Sequence, residues 1–422
     1  MKVLWIVNTI FPFPAKQLGK DTTCFGGWLI SLHEELIKSK NIQIAIATTY
    51  NGKTLKTFED GQTTYFLVPD SNPENYSKKL EKYWCEITIN FKPDIVHIHG
   101  TEYPRGLAYI RCNLNIPIVA SIQGIIYRYQ KVYYANLPYS VLLRNITIRD
   151  LLKPRTGLLS HKSAKKRGIY EKEILRKVDG IIGRTTWDYA SSKAINPNCN
   201  YFHGDESLRS LFYKEKWDVN KMKKHTIFFS QAQAPLKGFY LLLEALIVLK
   251  QKYPNIIVRV AGKNLLDESS FKARLKKQSY TKYLKKLIKK YNLEKNVQFT
   301  GYLDENGVIS ELKKCNVFVQ SSSIENSSNS LCEAMIMGVP CVASNVGGTE
   351  DMLENKREGL LYPYTETDML ANYIQMFFED KELCQKTGNN ARKRALLRHD
   401  RNNNVKELLK IYNSIISLGK KQ

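Results

Sequence analysis

SSSIENSSNSLCEAMIMGVPCVASNVGGTE, Ser321 to Glu350, is the stretch around which the rest of this chain is arranged. It begins where a short apolar, β-rich run, Val317–Gln320, ends in three serines. The pattern predicts strand, loop, helix, turn, strand and loop, in that order. The helix is the run Leu331–Met337; Gly338 just past its end and Pro340 beyond it are the residues that stop a helix. Pro340–Ala343 reads as the next strand, and Gly347 and Gly348 open a further loop.

Two glutamates frame the helix start. Glu325 stands in the loop and Glu333 in the first turns of the helix, with seven residues, 326–332, between them. Ser327, Ser328, Asn329 and Ser330 fill the gap. The first N–H groups of a helix have no partner inside it, and the helix dipole favours an anion there. The loop therefore suits a phosphate, with a carboxylate on either side to accept hydrogen bonds from hydroxyls. A nucleotide-sugar has that layout: diphosphate in the middle, ribose at one end, sugar at the other. The plain alternative is that serine and asparagine only cap the helix and that both glutamates are solvated.

Taken whole, the stretch resembles the donor-binding signature of the retaining glycosyltransferases of family 4 (glycosyl transferases group 1). That signature is E-x7-E followed by EAM-x-x-G-x-P-V-V-A-S-x-x-G-G-x-x-E; this chain reads EAMIMGVPCVASNVGGTE. The resemblance implies a GT-B fold, two doubly wound Rossmann-like α/β domains facing a cleft, with a C-terminal helix crossing back to the first. It implies that Glu333 holds the ribose hydroxyls, that Glu325 holds those of the transferred sugar, and that Ser328, Asn329 and Ser330 offer N–H groups to the diphosphate and sugar. Lys237-Gly238 matches a Lys-Gly of the family whose lysine contacts the diphosphate. Lys237 and Glu325 are then the catalytic candidates, and Gly26-Gly27 joins the donor-binding set.

The chain departs from the family at three places. An arginine is expected six residues before the lysine, where Gln231 stands; Arg184 or another base has to supply that charge. Many members carry Gly-Phe-Gly after the first glutamate, here Asn326-Ser327-Ser328. The histidine often found after the strand Pro117–Ile122 is Gln123, which hydrogen-bonds but is no general base. His99, Gln123 and Arg184 form the acceptor-side set. His97 and His99 alternate onto one face of the strand Asp94–His99 and read equally well as core or as site. Asp205, Glu206 and Arg209 are further polar residues near the domain junction.

The remaining sequence gives this stretch a setting. Continuous apolar runs at Lys2–Asn8, Gln43–Thr48, Tyr65–Val68, Asp94–His99, Pro117–Ile122, Val178–Thr185 and Tyr201–Phe202 alternate with helical segments. Such runs are strands buried on both faces of a parallel sheet. A second series starts at Thr226–Ser230 and continues through Gly238–Tyr253, Ile256–Ala261, a lysine-rich insertion at Lys263–Lys290, Val297–Thr300, Glu305–Cys315 and Thr367–Glu379. The expected division is residues 1–220 for the acceptor, 221–400 for the nucleotide-sugar, and 401–422 as the returning helix. Ligands of such sheets bind beyond the carboxyl ends of the strands, here Asn8-Thr9, His99–Glu102 and Gln123-Gly124. The residues Thr9–Gly26 read as a long loop.

Composition narrows the function. With 43% hydrophobic residues in 422, the chain is globular and large enough for more than one core. No apolar run is long enough to cross a membrane, and the N-terminus MKVLWIVNTIFPFPAK reads as a buried strand, not a signal peptide. Eight scattered cysteines, none in C-x-x-C, fit free thiols in a reducing cytosol. The net charge of +24 calls for an anionic partner. Nucleic acid is one, yet the basic residues lack the aromatic interleaving of a stacking platform. An anionic membrane face fits better, above all through Arg144–Lys177, where leucine and isoleucine interleave with lysine and arginine; a set of solvated helices fits that stretch as well.

The expected activity is transfer of a sugar from an NDP-sugar to a glycan or lipid-diphosphate-linked acceptor. It is expected to retain configuration, to use no cofactor and, with no D-x-D in the chain, no metal. The expected location is cytoplasmic, at the inner face of the membrane, in cell-surface polysaccharide assembly. An NDP-sugar epimerase on the same fold and a basic nucleic-acid-binding protein are the alternatives.

Overall fold

The computed structural model describes residues 1–20, 26–39, 41–152, 160–267 and 278–419. The chain forms two compact units. The first is Met1–Gln130, Ala164–Leu208 and His399–Gln422; the second is Lys131–Ser163 and Arg209–Arg398.

The first unit is built on β1 (Lys2–Ile6), β2 (Gln43–Tyr50), β3 (Lys56–Asp60), β4 (Thr63–Pro69), β5 (Ile95–His99), β6 (Ile118–Ser121), β7 (Gly180–Gly183) and β8 (Tyr201–His203). They lie in the order β3-β4-β2-β1-β5-β6-β7-β8. Every pairing is parallel except the hairpin of β3 on β4. β1 and β5 are central, and β1 from Val3 to Ile6 is at most 1% exposed. Its unbroken apolar run is what burial on both faces demands. The helix α1 (Gly27–Leu36) packs with the C-terminal helix Arg401–Gly419 over this sheet. Trp5 Nε1 donates to the Tyr412 hydroxyl at 3.0 Å, and His97 Nδ1 lies 2.7 Å from the same oxygen.

The second unit is built on β9 (Thr226–Phe229), β10 (Ile257–Val260), β11 (Val297–Phe299), β12 (Val317–Gln320), β13 (Cys341–Ser344) and β14 (Leu360–Tyr362). The order is β11-β10-β9-β12-β13-β14, parallel throughout. In both sheets the chain reverses direction of travel across the sheet next to the first strand, between β1 and β5 and between β9 and β12. Those are the points where doubly wound sheets leave a crevice at their carboxyl ends.

The boundary between units falls at Leu208–Arg209, not at residue 220. Trp217 explains the difference: its backbone N–H bonds to Met337 O and its indole N–H to Cys315 O, both at 2.8 Å. Residues 131–163 also belong to the second unit, tied by the Tyr240 hydroxyl to Ala135 O (2.6 Å) and by Ser279 N to Asp150 Oδ2 (2.9 Å). The expected loop Thr9–Gly26 contains a short helix, Pro12–Gln17, and residues 21–25, with Cys24, lie outside the described residues. Of the lysine-rich insertion, Ser279–Lys290 is helical and 268–277 lie outside the described residues. The tail is two helices, Lys381–Arg398 and Arg401–Gly419, because the chain breaks at His399-Asp400. Seven described cysteines are free.

Candidate active site

β12 is buried along its length and delivers Ser321 to the carboxyl edge of the second sheet. From there the loop is laced to the segment that follows β9. Ser321 Oγ donates to Gly238 O (2.8 Å) and Ser323 N to Leu236 O (2.8 Å). The segment Pro235–Lys237 is a single 3₁₀ turn, and Gly238 (φ +64°) caps the helix α2, Phe239–Lys252. A Cβ on Gly238 would stand 1.8 Å from Ser321 O, so only glycine lets the two loops touch.

Glu325 is 8% exposed. Its Oε1 accepts from the Ser322 hydroxyl at 2.6 Å and from Lys237 Nζ at 2.5 Å. A lysine beside a helix N-terminus is electrostatically out of place; here Glu325 is its counter-charge. The Gly347-Gly348 loop backs this arrangement. Gly348 N donates to Glu325 O (3.0 Å), and a Cβ on Gly347 (φ +56°) would lie 1.9 Å from that oxygen.

Ser328 caps the helix α3, Asn329–Met337, accepting from Leu331 N. Ser328 and Ser330 hydroxyls lie 3.2 Å apart, and Ser230, at the end of β9, reaches Ser330 at 3.3 Å. Gln231 comes next in the chain. The helix start thus sits where β9 and β12 end, with hydroxyls and backbone N–H groups around it. Glu333, one turn further on, is 7% exposed and held in a fork by Arg209: Nε to Oε1 at 2.7 Å, Nη2 to Oε2 at 2.8 Å. Burial pushes its pKa up and Arg209 opposes the rise. Neither glutamate is solvated. Each buried carboxylate has a cation from another part of the second unit.

In the first unit the strand ends gather a second polar group. Gln123 Nε2 donates to Glu206 Oε1 at 2.6 Å, and Glu206 pairs with the buried Arg184. Arg184 also donates to Ile122 O at 2.6 Å. Its guanidinium is committed to these first-unit partners, which accounts for its burial without a ligand phosphate. Glu102 accepts from Gly124 N at 2.9 Å. His97 is a core residue, bridging Tyr412 and Ser121 (2.6 Å), and burial pushes its pKa down to about 3. His99 stacks on it with ring centroids 3.6 Å apart; its own two ring nitrogens have no partner among the described residues. His99, Asn8, Thr9, Gly26, Glu102 and Gln123 line a cavity of about 390 Å³. Gly26 and Gly27 therefore belong to the first unit, as cap and first residue of α1.

Sequence reasoning missed Glu171. It lies in the basic stretch Arg144–Lys177, read as a membrane-facing surface or a set of solvated helices, yet it is fully buried, accepts from Thr101 Oγ1 (2.8 Å), Ile126 N (3.1 Å) and Tyr127 N (2.9 Å), and burial pushes its pKa up to about 8. A lone acid among lysines gives no signal. Arg209 was only a nearby polar residue in sequence, because its partner is 124 residues away.

Residues 212–394 match the family model described as glycosyl transferases group 1. Over that stretch the chain is similar to glycosyl transferases group 1. Among curated relatives, this glycosyltransferase is 23% identical over 334 residues to the uncharacterized glycosyltransferase YqgM of Bacillus subtilis, covering 78% of this chain and 80% of that one. It is 30% identical over 92 residues to the Escherichia coli UDP-Gal:alpha-D-GlcNAc-diphosphoundecaprenol alpha-1,3-galactosyltransferase, covering 22% of this chain and 23% of that one. Among solved structures, sucrose-phosphate synthase from Thermosynechococcus elongatus superposes with a TM-score of 0.71 at 15% identity, over 99% of this chain and 100% of that one. Anabaena HepE in complex with UDP and glucose gives 0.65 at 16%, over 98% and 100%. The two Rossmann-like units are those of the GT-B fold.

The loop packing around Glu325 makes a direct prediction. Gly238→Ala and Gly347→Ala each have a backbone oxygen in the way and should lose on the order of 1–3 kcal/mol. Gly61→Ala, with positive φ but nothing within 4 Å, should lose only about 1 kcal/mol. Urea unfolding of the three variants checks this; equal losses would mean that the loops are not packed as described.

Proposed function

We propose that this glycosyltransferase moves a sugar from an NDP-sugar to a glycan or lipid-diphosphate-linked acceptor, with retention of configuration and without a metal, in cell-surface polysaccharide assembly. One observation carries the reading: the start of α3, at the switch point of the second sheet, lies between two buried, ion-paired carboxylates with Lys237 alongside. The diphosphate takes the N–H groups and hydroxyls of Ser328–Ser330. Glu333 accepts from the ribose hydroxyls, and Glu325 from those of the sugar. The UDP and glucose bound by HepE, and the diphosphoundecaprenol acceptor in the E. coli relative's name, support the two substrate classes.

In the transfer, the bond from the anomeric carbon to the β-phosphate oxygen breaks and the acceptor oxygen bonds to the same face of that carbon. The acceptor's proton passes to the departing phosphate oxygen, so no protein nucleophile is needed. Charge grows on the diphosphate as it leaves. Lys237 meets it: its ammonium has three donors and spends one on Glu325. The acceptor occupies the first-unit cavity. There Glu206, paired with Arg184, accepts from the Gln123 amide nitrogen, which turns the Gln123 carbonyl the other way. Gln123 then acts as a hydrogen-bond acceptor where a histidine is common.

The reading extends to location. Among the described residues no helix is long and apolar enough to cross a membrane. Tyr139 (53% exposed) and Leu143 (48%) share one face of the short helix Tyr139–Leu143, with Leu151 (69%) further along. Arg144 follows, and Lys282 reaches Ile146 O at 3.4 Å. Apolar side chains among cations suit the cytoplasmic face of an anionic membrane.

A thermal-shift panel of UDP, GDP, ADP, TDP and CMP tests the donor site. One of them should stabilise the wild type, Glu333→Ala should abolish the shift, and Lys237→Ala should keep it while turnover falls about 10²–10³-fold. No shift with any nucleotide, or an epimerised sugar formed with no acceptor present, overturns the proposal. For the membrane, sedimentation with phosphatidylglycerol vesicles should pull the enzyme down at low salt, far less with phosphatidylcholine alone, and less for Leu143→Asp. Equal binding to both lipids would remove the electrostatic account.

A further inference from the structure

Glu333 is assigned above to the ribose, and both of its carboxylate oxygens are held by Arg209. The inference drawn here rests on that assignment. Arg209 stands at the cap of the helix Ser210–Lys214 and puts two parallel N–H bonds on Glu333, at 2.7 and 2.8 Å. Its guanidinium lies 4.6 Å from the centroid of the fully buried Phe212 ring, which steadies the plane of the fork. Leu211 N is tied to Glu305 Oε1 at 2.9 Å, which anchors the same turn. Ser330, three residues before Glu333 on the same helical face, touches Ser230, the residue before Gln231.

We propose that Arg209 is the positioning residue of the nucleotide site: it holds Glu333 ionised, with both oxygens in a fixed plane, so that the carboxylate can accept from two adjacent ribose hydroxyls. Without Arg209 a carboxylate this deeply buried takes up a proton. A protonated carboxyl keeps fewer acceptor sites and turns one oxygen into a donor. The charged groups facing Glu333 are Arg209 and Glu305, the latter a like charge that favours protonation; Arg392 bonds to Ile336 O at the far end of the helix.

The sign follows. Burial raises the Glu333 pKa and Arg209 lowers it, so removing Arg209 moves it further up, and the affinity that depends on the ionised form is lost as pH falls. The test is calorimetric titration of UDP and GDP at pH 8 and pH 6 into the wild type, Arg209→Gln, Arg209→Lys and Glu333→Gln. Arg209→Gln should bind the preferred nucleotide at least about tenfold more weakly than the wild type at pH 8, and its deficit relative to the wild type at the same pH should widen at pH 6. Arg209→Lys, a point charge without the fork, should fall between. The double variant Arg209→Gln/Glu333→Gln should lose the pH dependence. Wild-type affinity of Arg209→Gln at both pH values overturns the proposal, as does a loss that is the same at both, which is what a purely structural arginine would give. Full affinity in Glu333→Gln overturns the ribose assignment itself, a separate failure.

Discussion

Burying a carboxylate costs several kcal/mol unless a cation and hydrogen bonds come with it. The second unit does this twice within one loop and helix. Glu325 is answered by Lys237 and Ser322, and Glu333 by Arg209. Each cation comes from a distant part of the sequence, so each pair ties separate elements together: the loop after β9 to the loop after β12, and the chain entering the unit to α3. Such pairs contribute little net stability compared with apolar side chains of the same volume. Their persistence in a site that has hydroxyls and helix N–H groups between them fits binding better than folding.

The same device recurs in the first unit with different residues. Glu206 is buried against Arg184 and orients Gln123. Glu171 has no cation partner among the described residues and instead takes two backbone N–H groups and a threonine hydroxyl, with a pKa pushed up to about 8. In both units the polar groups collect at the carboxyl ends of parallel strands, because there the loops leave the sheet and the backbone N–H groups of the following helices point outward.

Much of this was legible in the residues. The apolar runs of β1, β5, β9 and β12 are continuous because both faces are buried, and that pattern has few other readings. Thr367–Glu379 is a helix with the bounds expected for that segment. β3 was missed because KTFED is an exposed, polar edge; the short strand β14, Leu360–Tyr362, was missed as well. In the candidate site, Glu325, Ser328, Ser330 and Glu333 could be named because they are close in sequence. Arg209, Glu206 and the Lys237–Glu325 pair could not be given their roles, since they depend on which loops meet. The unit boundary was misplaced for the same reason: Trp217 looks like a linker residue until its two partners are known.

Hydrogen–deuterium exchange with and without UDP and GDP tests the central claim most directly, namely that a nucleoside diphosphate binds between Glu325 and Glu333. With one of the two nucleotides, peptides covering 230–238 and 321–333 should gain protection, while 56–69 and 401–419 stay unchanged. Protection confined to the first unit, or none at 321–333 under saturating nucleotide, would contradict the account.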